Sequence, residues 1–324
     1  MIKIQMTKTT KTIVMGTPYF AATIFKKLYQ SQLPNLEIVA VITAPDKPVG
    51  RKQELVPSPV KKFALKNNLN ILQPEKINSP EWIKKIKALN PDLIIVTAYG
   101  QIIPKKILDI PKFGALNIHP SLLPKYRGAS PIQATILNGD KIGGITMILM
   151  DEKMDHGPVI SNFQFPISNK PTYEELSEKL ANVGADLLIK VLPDWILGRI
   201  EPKPQKHPKA TFCKIIKKEN GKIDWRESAK KIERQIRAFH KWPNAFTSFN
   251  NKQLKILEAE ICLKQNFKHS NEPGKVFFAD DKKLAVQTNN GILILKQVQL
   301  EGKRQMNAKD FLNGHSEIIG TTLK

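Results

Sequence analysis

The chain has few cysteines. Its 324 residues include two, Cys213 and Cys262, and neither belongs to a C-x-x-C pair. That excludes a disulfide framework and a cysteine-ligated zinc site, and it fits a reducing, cytoplasmic setting. Long apolar runs are missing too. None approaches the roughly 20 residues that a bilayer-spanning helix needs. Lys3, Lys8 and Lys11 are not followed by the apolar core of a secretory leader. Acidic side chains are scarce, 29 against 51 lysines and arginines, which leaves a formal charge of +22. Such an excess points to a polyanionic partner, nucleic acid before an anionic membrane; the alternative is a lysine-biased composition. From residue 210 onward there are 22 basic and 12 acidic side chains, so the C-terminal part is the more densely basic.

Glycine is absent where nucleotide sites require it. The first strand-to-helix turn, Met15-Gly16-Thr17-Pro18-Tyr19-Phe20, has one glycine, and Pro18 removes a backbone donor. A pyrophosphate-binding turn would need G-x-G-x-x-G at this place. No G-x-x-x-x-G-K-[ST] occurs either. NAD and an ATP-binding P-loop are therefore excluded as explanations.

What is present is an alternation of elements. Thr12–Met15, Glu37–Thr43, Asp92–Val96, Ala115–His119 and Ile145–Met150 read as strands. Amphipathic stretches near Phe20–Tyr29, Pro59–Lys66 and Pro80–Leu89 read as helices, and Ser58-Pro59 and Ser79-Pro80 are helix starts. This pattern predicts an α/β, Rossmann-like, mostly parallel sheet in an N-terminal domain. A long helix is expected over Thr172–Leu197. The proline- and lysine-rich run from Glu201 to Lys209 reads as an extended linker. Beyond it, the helix Glu227–Phe239 and five short strands between Asn, Gly and Asp turns predict a small C-terminal β-barrel of OB-like type. The expected division is 1–200, a linker at 201–213, and a basic barrel domain at 214–324.

The most chemical stretch is Asn117-Ile118-His119-Pro120-Ser121-Leu122-Leu123-Pro124-Lys125-Tyr126-Arg127-Gly128. Asn117 and His119 are two apart on a strand, so both point to one side at its C-terminal end. In an open parallel sheet, ligands bind at that end. A second element, Met150-Asp151-Glu152-Lys153-Met154-Asp155-His156-Gly157-Pro158, ends a neighbouring strand. An acid there can reach across the strand-end crevice to the imidazole. Asp151 and Glu152 compete for the role, and His156 is a second candidate base. Asn, His and an acid include no nucleophile. They can polarise a carbonyl, stabilise an oxyanion and move a proton, which suits acyl or formyl transfer to an external amine. The plain alternative has Asn117 capping a turn and His119 packed beneath a loop; the three groups occurring together favour chemistry.

The run from Asn117 to Ala129, with Asp155-x-Gly157 downstream, resembles the signature of enzymes that use 10-formyltetrahydrofolate. Gly16-Thr17-Pro18-x-Phe20-Ala21, Pro45 to Arg51, Val56 to Lys61, Ala98-Tyr99-Gly100-Gln101, Gly221 to Trp225 and Ile236 to Phe239 are similar to segments of the methionyl-tRNA formyltransferase family. The resemblance implies formyl transfer from 10-formyltetrahydrofolate to the amine of initiator methionyl-tRNA, with no metal, no membrane partner and a monomeric enzyme. It implies catalytic roles for Asn117, His119 and Asp155, and a folate site along Ser121, Leu122, Leu123 and Pro124 bordered by Tyr99 and Gly100. It places Phe20 near the methionyl side chain and Arg51 on a loop that meets the tRNA. The competing resemblance is to sugar-nucleotide formyltransferases, which share the Asn117–Ala129 signature.

Overall fold

The computed structural model describes residues 8–49, 53–168, 170–262, 270–279 and 283–324. Apolar, β-branched runs form a seven-stranded sheet: β1 (Thr10–Gly16), β2 (Leu36–Ile42), β3 (Ile71–Leu72), β4 (Leu93–Thr97), β5 (Ala115–His119), β6 (Ile142–Leu149) and β7 (Val159–Pro166). Their order in space is β7-β6-β5-β4-β1-β2-β3. The pairs from β5 through β3 are parallel, whereas β5–β6 and β6–β7 are antiparallel. Ile13, Val14, Ile94, Ile95 and Leu116 are fully buried, as expected of strands covered on both faces. β7 is not among the strands read from the sequence. It is an edge strand whose Asn162, Phe163 and Gln164 are exposed, so its apolar signal is weak.

Between and after these strands run α1 (Tyr19–Gln30), α2 (Pro59–Lys66), α3 (Pro80–Ala88), α4 (Lys105–Leu108), α5 (Pro131–Asn138) and α6 (Tyr173–Ile196). In α1 the buried residues Phe20, Ala21, Ile24, Phe25 and Leu28 recur at helical spacing and form one stripe. Ser58 caps α2 as expected: its hydroxyl accepts from the Lys61 N–H at 3.0 Å, with Pro59 in the first turn. Ser79 stands in the same position before α3, but its side chain makes no cap bond.

The chain folds into two compact units. One comprises Met1–Pro131, Ile142–Pro166 and Ser177–Lys214; the other comprises Ile132–Lys141, Ile167–Leu176 and Ile215–Lys324. Residues 201–213, read as a linker, run against the first unit. Lys203 exchanges both backbone hydrogen bonds with Val159 of β7, at 2.7 and 2.8 Å, and Phe212–Cys213 pairs in parallel with Arg127–Gly128. Proline is compatible with such pairing at a sheet edge.

The second unit holds α7 (Ala229–Ala238), β8 (Ala245–Phe249), β9 (Lys252–Ile261), β10 (Val276–Ala279), β11 (Lys283–Gln287), β12 (Ile292–Leu300), β13 (Met306–Asn307) and α8 (Ala308–Gly314). The antiparallel order is β8-β9-β12-β11-β10, with β13 added on β12. Residues 320–324 connect the two edges. Thr321 and Leu323 bond to Val276 and Gly274 on one side, and the Lys324 carbonyl accepts from Ser248 on the other. Trp225, Ile232, Ile236, Phe249, Leu293, Leu295 and Phe311 are the buried interior.

Candidate active site

β5 ends on Asn117, Ile118 and His119. The period of two sends Ile118 to the opposite face, where its side chain lies beside Gly184 of α6. Asn117 and His119 share the other face, and His119 is 4% exposed. The chain then turns. The Ser121 N–H donates to the His119 carbonyl at 2.9 Å. Thr146, from the adjacent β6, donates its hydroxyl to the Ser121 carbonyl at 2.7 Å and accepts from the Leu123 N–H at 3.0 Å. The Ser121 hydroxyl bonds the Lys125 carbonyl, which closes the loop on itself.

Three groups converge on the Asp155 carboxylate. Asn117 Nδ2 donates to Oδ1 at 3.0 Å, His119 Nδ1 lies 3.5 Å from the same oxygen, and the Gly128 N–H donates to Oδ2 at 2.7 Å. The other ring nitrogen of His119, Nε2, lies 2.9 Å from the Tyr126 carbonyl. A carbonyl has no hydrogen to give, so Nε2 carries one. A second proton, on Nδ1, would face the carboxylate. Two glycines allow this convergence. Gly128 has φ +112° and lies so close to Cys213 that an added Cβ would stand 2.3 Å from the Cys213 carbonyl oxygen. At Gly157 an added Cβ would stand 1.8 Å from the Leu149 carbonyl oxygen. The Asp155 turn can therefore fold back over β6 only with glycine there.

The direction of β6 corrects the expected route of the acid. Because β6 is antiparallel to β5, its end lies by the start of β5, where the Met150 N–H bonds the Ala115 carbonyl at 2.8 Å. Asp151 and Glu152 are thus at the end opposite His119. Asp151 instead pairs with His156, Oδ2 to Nδ1 at 2.6 Å. The acid does not reach across a strand-end crevice. The turn after β6 carries Asp155 back to Asn117 and His119.

Behind Asp155 is a polar layer that the sequence did not reveal. Gln205 Nε2 donates to the carbonyls of Asp155 and Gly157, and Gln205 Oε1 accepts from Arg127. Arg127 Nη2 also donates to His207 Nδ1 at 2.9 Å, and the His207 ring stacks on His156 at 4.1 Å between centroids. Local desolvation by the groups packed on its exposed ring comes first, then the charges of His156 and Arg127; together they hold the His207 pKa below its ordinary value.

The remaining predicted positions are spread out. Leu122 packs over Gly144 of β6; Leu122, Leu123 and Pro124 are half-buried and Ser121 is buried. Tyr99 offers its backbone carbonyl to the Thr17 hydroxyl at 3.1 Å, while its ring packs with Ile77, Ile86, Ile103 and Ile107. Its hydroxyl has no partner among the described residues, and burial pushes that phenol up. Gly100 is exposed with φ +92°. Phe20 is buried at the start of α1. Arg51 lies outside the described residues. A cavity of about 770 Å³ opens beside Leu108, Phe113, Leu149, Met150, Asp151 and Trp195; Ser121 to Pro124 do not line it. Among the described residues no cluster of His, Cys, Asp and Glu is arranged to hold a metal ion.

Comparison with known proteins gives the family. A family model described as formyl transferase matches residues 10–192, and one for the formyl transferase C-terminal domain matches residues 215–316. A methionyl-tRNA formyltransferase from Caldicellulosiruptor saccharolyticus is 43% identical over 94% of this chain and 96% of its own length. The one from Caldanaerobacter subterraneus is 41% identical over 96% and 99%. In fold, the chain matches an N-formyltransferase from Helicobacter canadensis at TM-score 0.62 and 20% identity, covering 90% of this chain and 100% of that one. Identity above two-fifths along almost the whole length, carried through both units, places the chain in the methionyl-tRNA formyltransferase family.

Proposed function

We propose that the chain transfers the formyl group of 10-formyltetrahydrofolate to the α-amine of initiator methionyl-tRNA, acting as a monomer in the cytoplasm, with Asn117, His119 and Asp155 as its catalytic residues. The observation that carries the catalytic assignment is the single carboxylate that gathers Asn117, His119 and the Gly128 N–H. The donor supplies an activated formyl carbon on a nitrogen able to leave. Attack by the neutral amine forms a C–N bond and a tetrahedral oxyanion. One amide hydrogen of Asn117 is engaged by Asp155, and the other is assigned to the oxyanion. His119 in its protonated form adds positive charge beside it, with Asp155 as counter-charge. Asp155 takes the proton released by the attacking amine and returns it, through water, to the departing folate nitrogen as the second C–N bond breaks.

The residues present suit such a donor. The folate would lie along the Ser121–Pro124 loop, which Thr146 fixes through backbone atoms and which offers Leu122 and Leu123 as apolar contacts. Tyr99 and Gly100 would border it, Phe20 would approach the methionyl side chain, and Arg51 would meet the tRNA. The second unit, with its excess of lysines and arginines, would follow the tRNA phosphates. Labelled 10-formyltetrahydrofolate, offered charged initiator tRNA and an amino-sugar nucleotide together, tests the reading. Label is expected on the aminoacyl-tRNA. Label on the sugar nucleotide alone would favour a sugar-nucleotide formyltransferase.

A further inference from the structure

Gln205 lies in the proline- and lysine-rich run that joins β7's edge to Phe212, yet it is 7% exposed. Its amide makes four hydrogen bonds. The two Nε2 hydrogens go to the Asp155 carbonyl at 2.9 Å and the Gly157 carbonyl at 2.8 Å. Oε1 receives Arg127 Nε at 3.2 Å and Nη2 at 2.6 Å. Both donors and both acceptor sites are used. The reversed amide would set oxygen against two carbonyl oxygens and NH2 against a guanidinium, so the partners fix the orientation.

Those four bonds join the two sides of the candidate catalytic acid. Asp155 has φ +50°, a left-handed conformation that a non-glycine residue keeps only when its surroundings hold it. The Gln205 amide holds the main chain at that residue and again at Gly157. Its oxygen holds Arg127, whose successor Gly128 donates to Asp155 Oδ2. Arg127 is 4% exposed, and among the described residues no carboxylate lies within ion-pair distance of it. The Gln205 oxygen and His207 are its acceptors. From this backbone pose the side chain of Asp155 reaches Asn117 and His119 together.

The geometry points to Gln205 as a positioning residue for the Asp155 carboxylate, an inference that rests on the catalytic reading of Asp155. Gln205 touches no reacting atom. It sets the conformation from which Asp155 meets Asn117, His119 and Gly128. Glutamate at 205 would keep the Arg127 contact but turn oxygen toward the two carbonyls. Methionine would fill a similar volume with neither donor nor strong acceptor.

The test compares kcat and KM for Gln205→Glu, Gln205→Met, Asp155→Asn and the two double variants, with folding checked by thermal denaturation. Each Gln205 variant is expected to lower kcat by about 10–100-fold, with KM for either substrate within about threefold, because a small misplacement of a catalytic group costs turnover. In the Asp155→Asn background the same substitutions should change the residual rate by less than about threefold, the non-additivity of two residues acting as one unit. A readout without turnover is the His119 Nδ1 nitrogen resonance, which should move in Gln205→Met in the same sense as in Asp155→Asn. A wild-type kcat, a raised KM with kcat unchanged, full multiplicative loss in the double variants, or an unmoved resonance would overturn the inference. So would loss of the folded state in both single variants, since Gln205 would then serve the fold. Wild-type turnover in Asp155→Asn would instead overturn the catalytic reading of Asp155.

Discussion

One hydroxyl holds the loop after His119. Thr146 is fully buried, donates to Ser121 and accepts from Leu123. Thr146→Val keeps the shape and removes both bonds, leaving a carbonyl and an N–H unpaired. It should lower unfolding stability by about 1–3 kcal/mol in chemical denaturation, and it should raise KM for the folate more than for the tRNA. His207 gives a second test at this scale. Because its protonation is disfavoured in the fold, its contribution to stability is present above its unfolded pKa and is lost as pH falls from there through its lower folded pKa. A proton NMR titration should place its midpoint below that of an ordinary histidine, and His156→Asn should raise it by removing a stacked, chargeable ring. A midpoint that stays fixed would discount the stack as a cause. Asn117 and His119 were legible in the sequence because a strand's period forces i and i+2 to one side. Thr146 was not, since in an apolar strand it reads as one more β-branched residue. Gln205 was hidden by prolines and lysines that suggest solvent.

Among the elements, the turn between β6 and β7 decides the site. It turns back because Gly157 has no Cβ to meet the Leu149 carbonyl. Gly157→Ala should therefore cost about 1–3 kcal/mol through overpacking and reduce kcat as Asp155 moves, measured by denaturation and steady-state rates. An unchanged protein would show that the turn can give way without disturbing Asp155. The parallel strands and the cap at Ser58 were legible from apolar runs and Ser-Pro pairs. The direction of β6 was not, because periodicity reports which face a residue takes and never which way a strand runs. That ambiguity made Asp151 and Glu152 candidates and hid the return path of Asp155. The short, half-exposed β7 gave too little apolar pattern to be read as an edge strand.

For the whole molecule, charge is the readable feature. The formal +22 is spread along the chain and is denser after residue 210. If the second unit follows tRNA phosphates, raising monovalent salt from about 50 to about 200 mM should weaken tRNA binding by more than about tenfold through counterion release. Folate binding should change far less under the same titration. Equal salt responses would contradict the division of labour. The two-unit plan was foreshadowed by the change from alternating strands and helices to short strands between turns. The excursions of 132–141 and 167–176 into the second unit carry no comparable mark in composition. The central claim is that Asn117, His119 and Asp155 act together on the formyl group. Its most direct test is kcat for formyl transfer to methionyl-tRNA by Asn117→Ala, His119→Ala and Asp155→Ala, each shown to be folded. Each should lose about 10²–10³-fold or more, the usual effect of removing an oxyanion donor or a positioned proton carrier; rates near wild type in all three would contradict it.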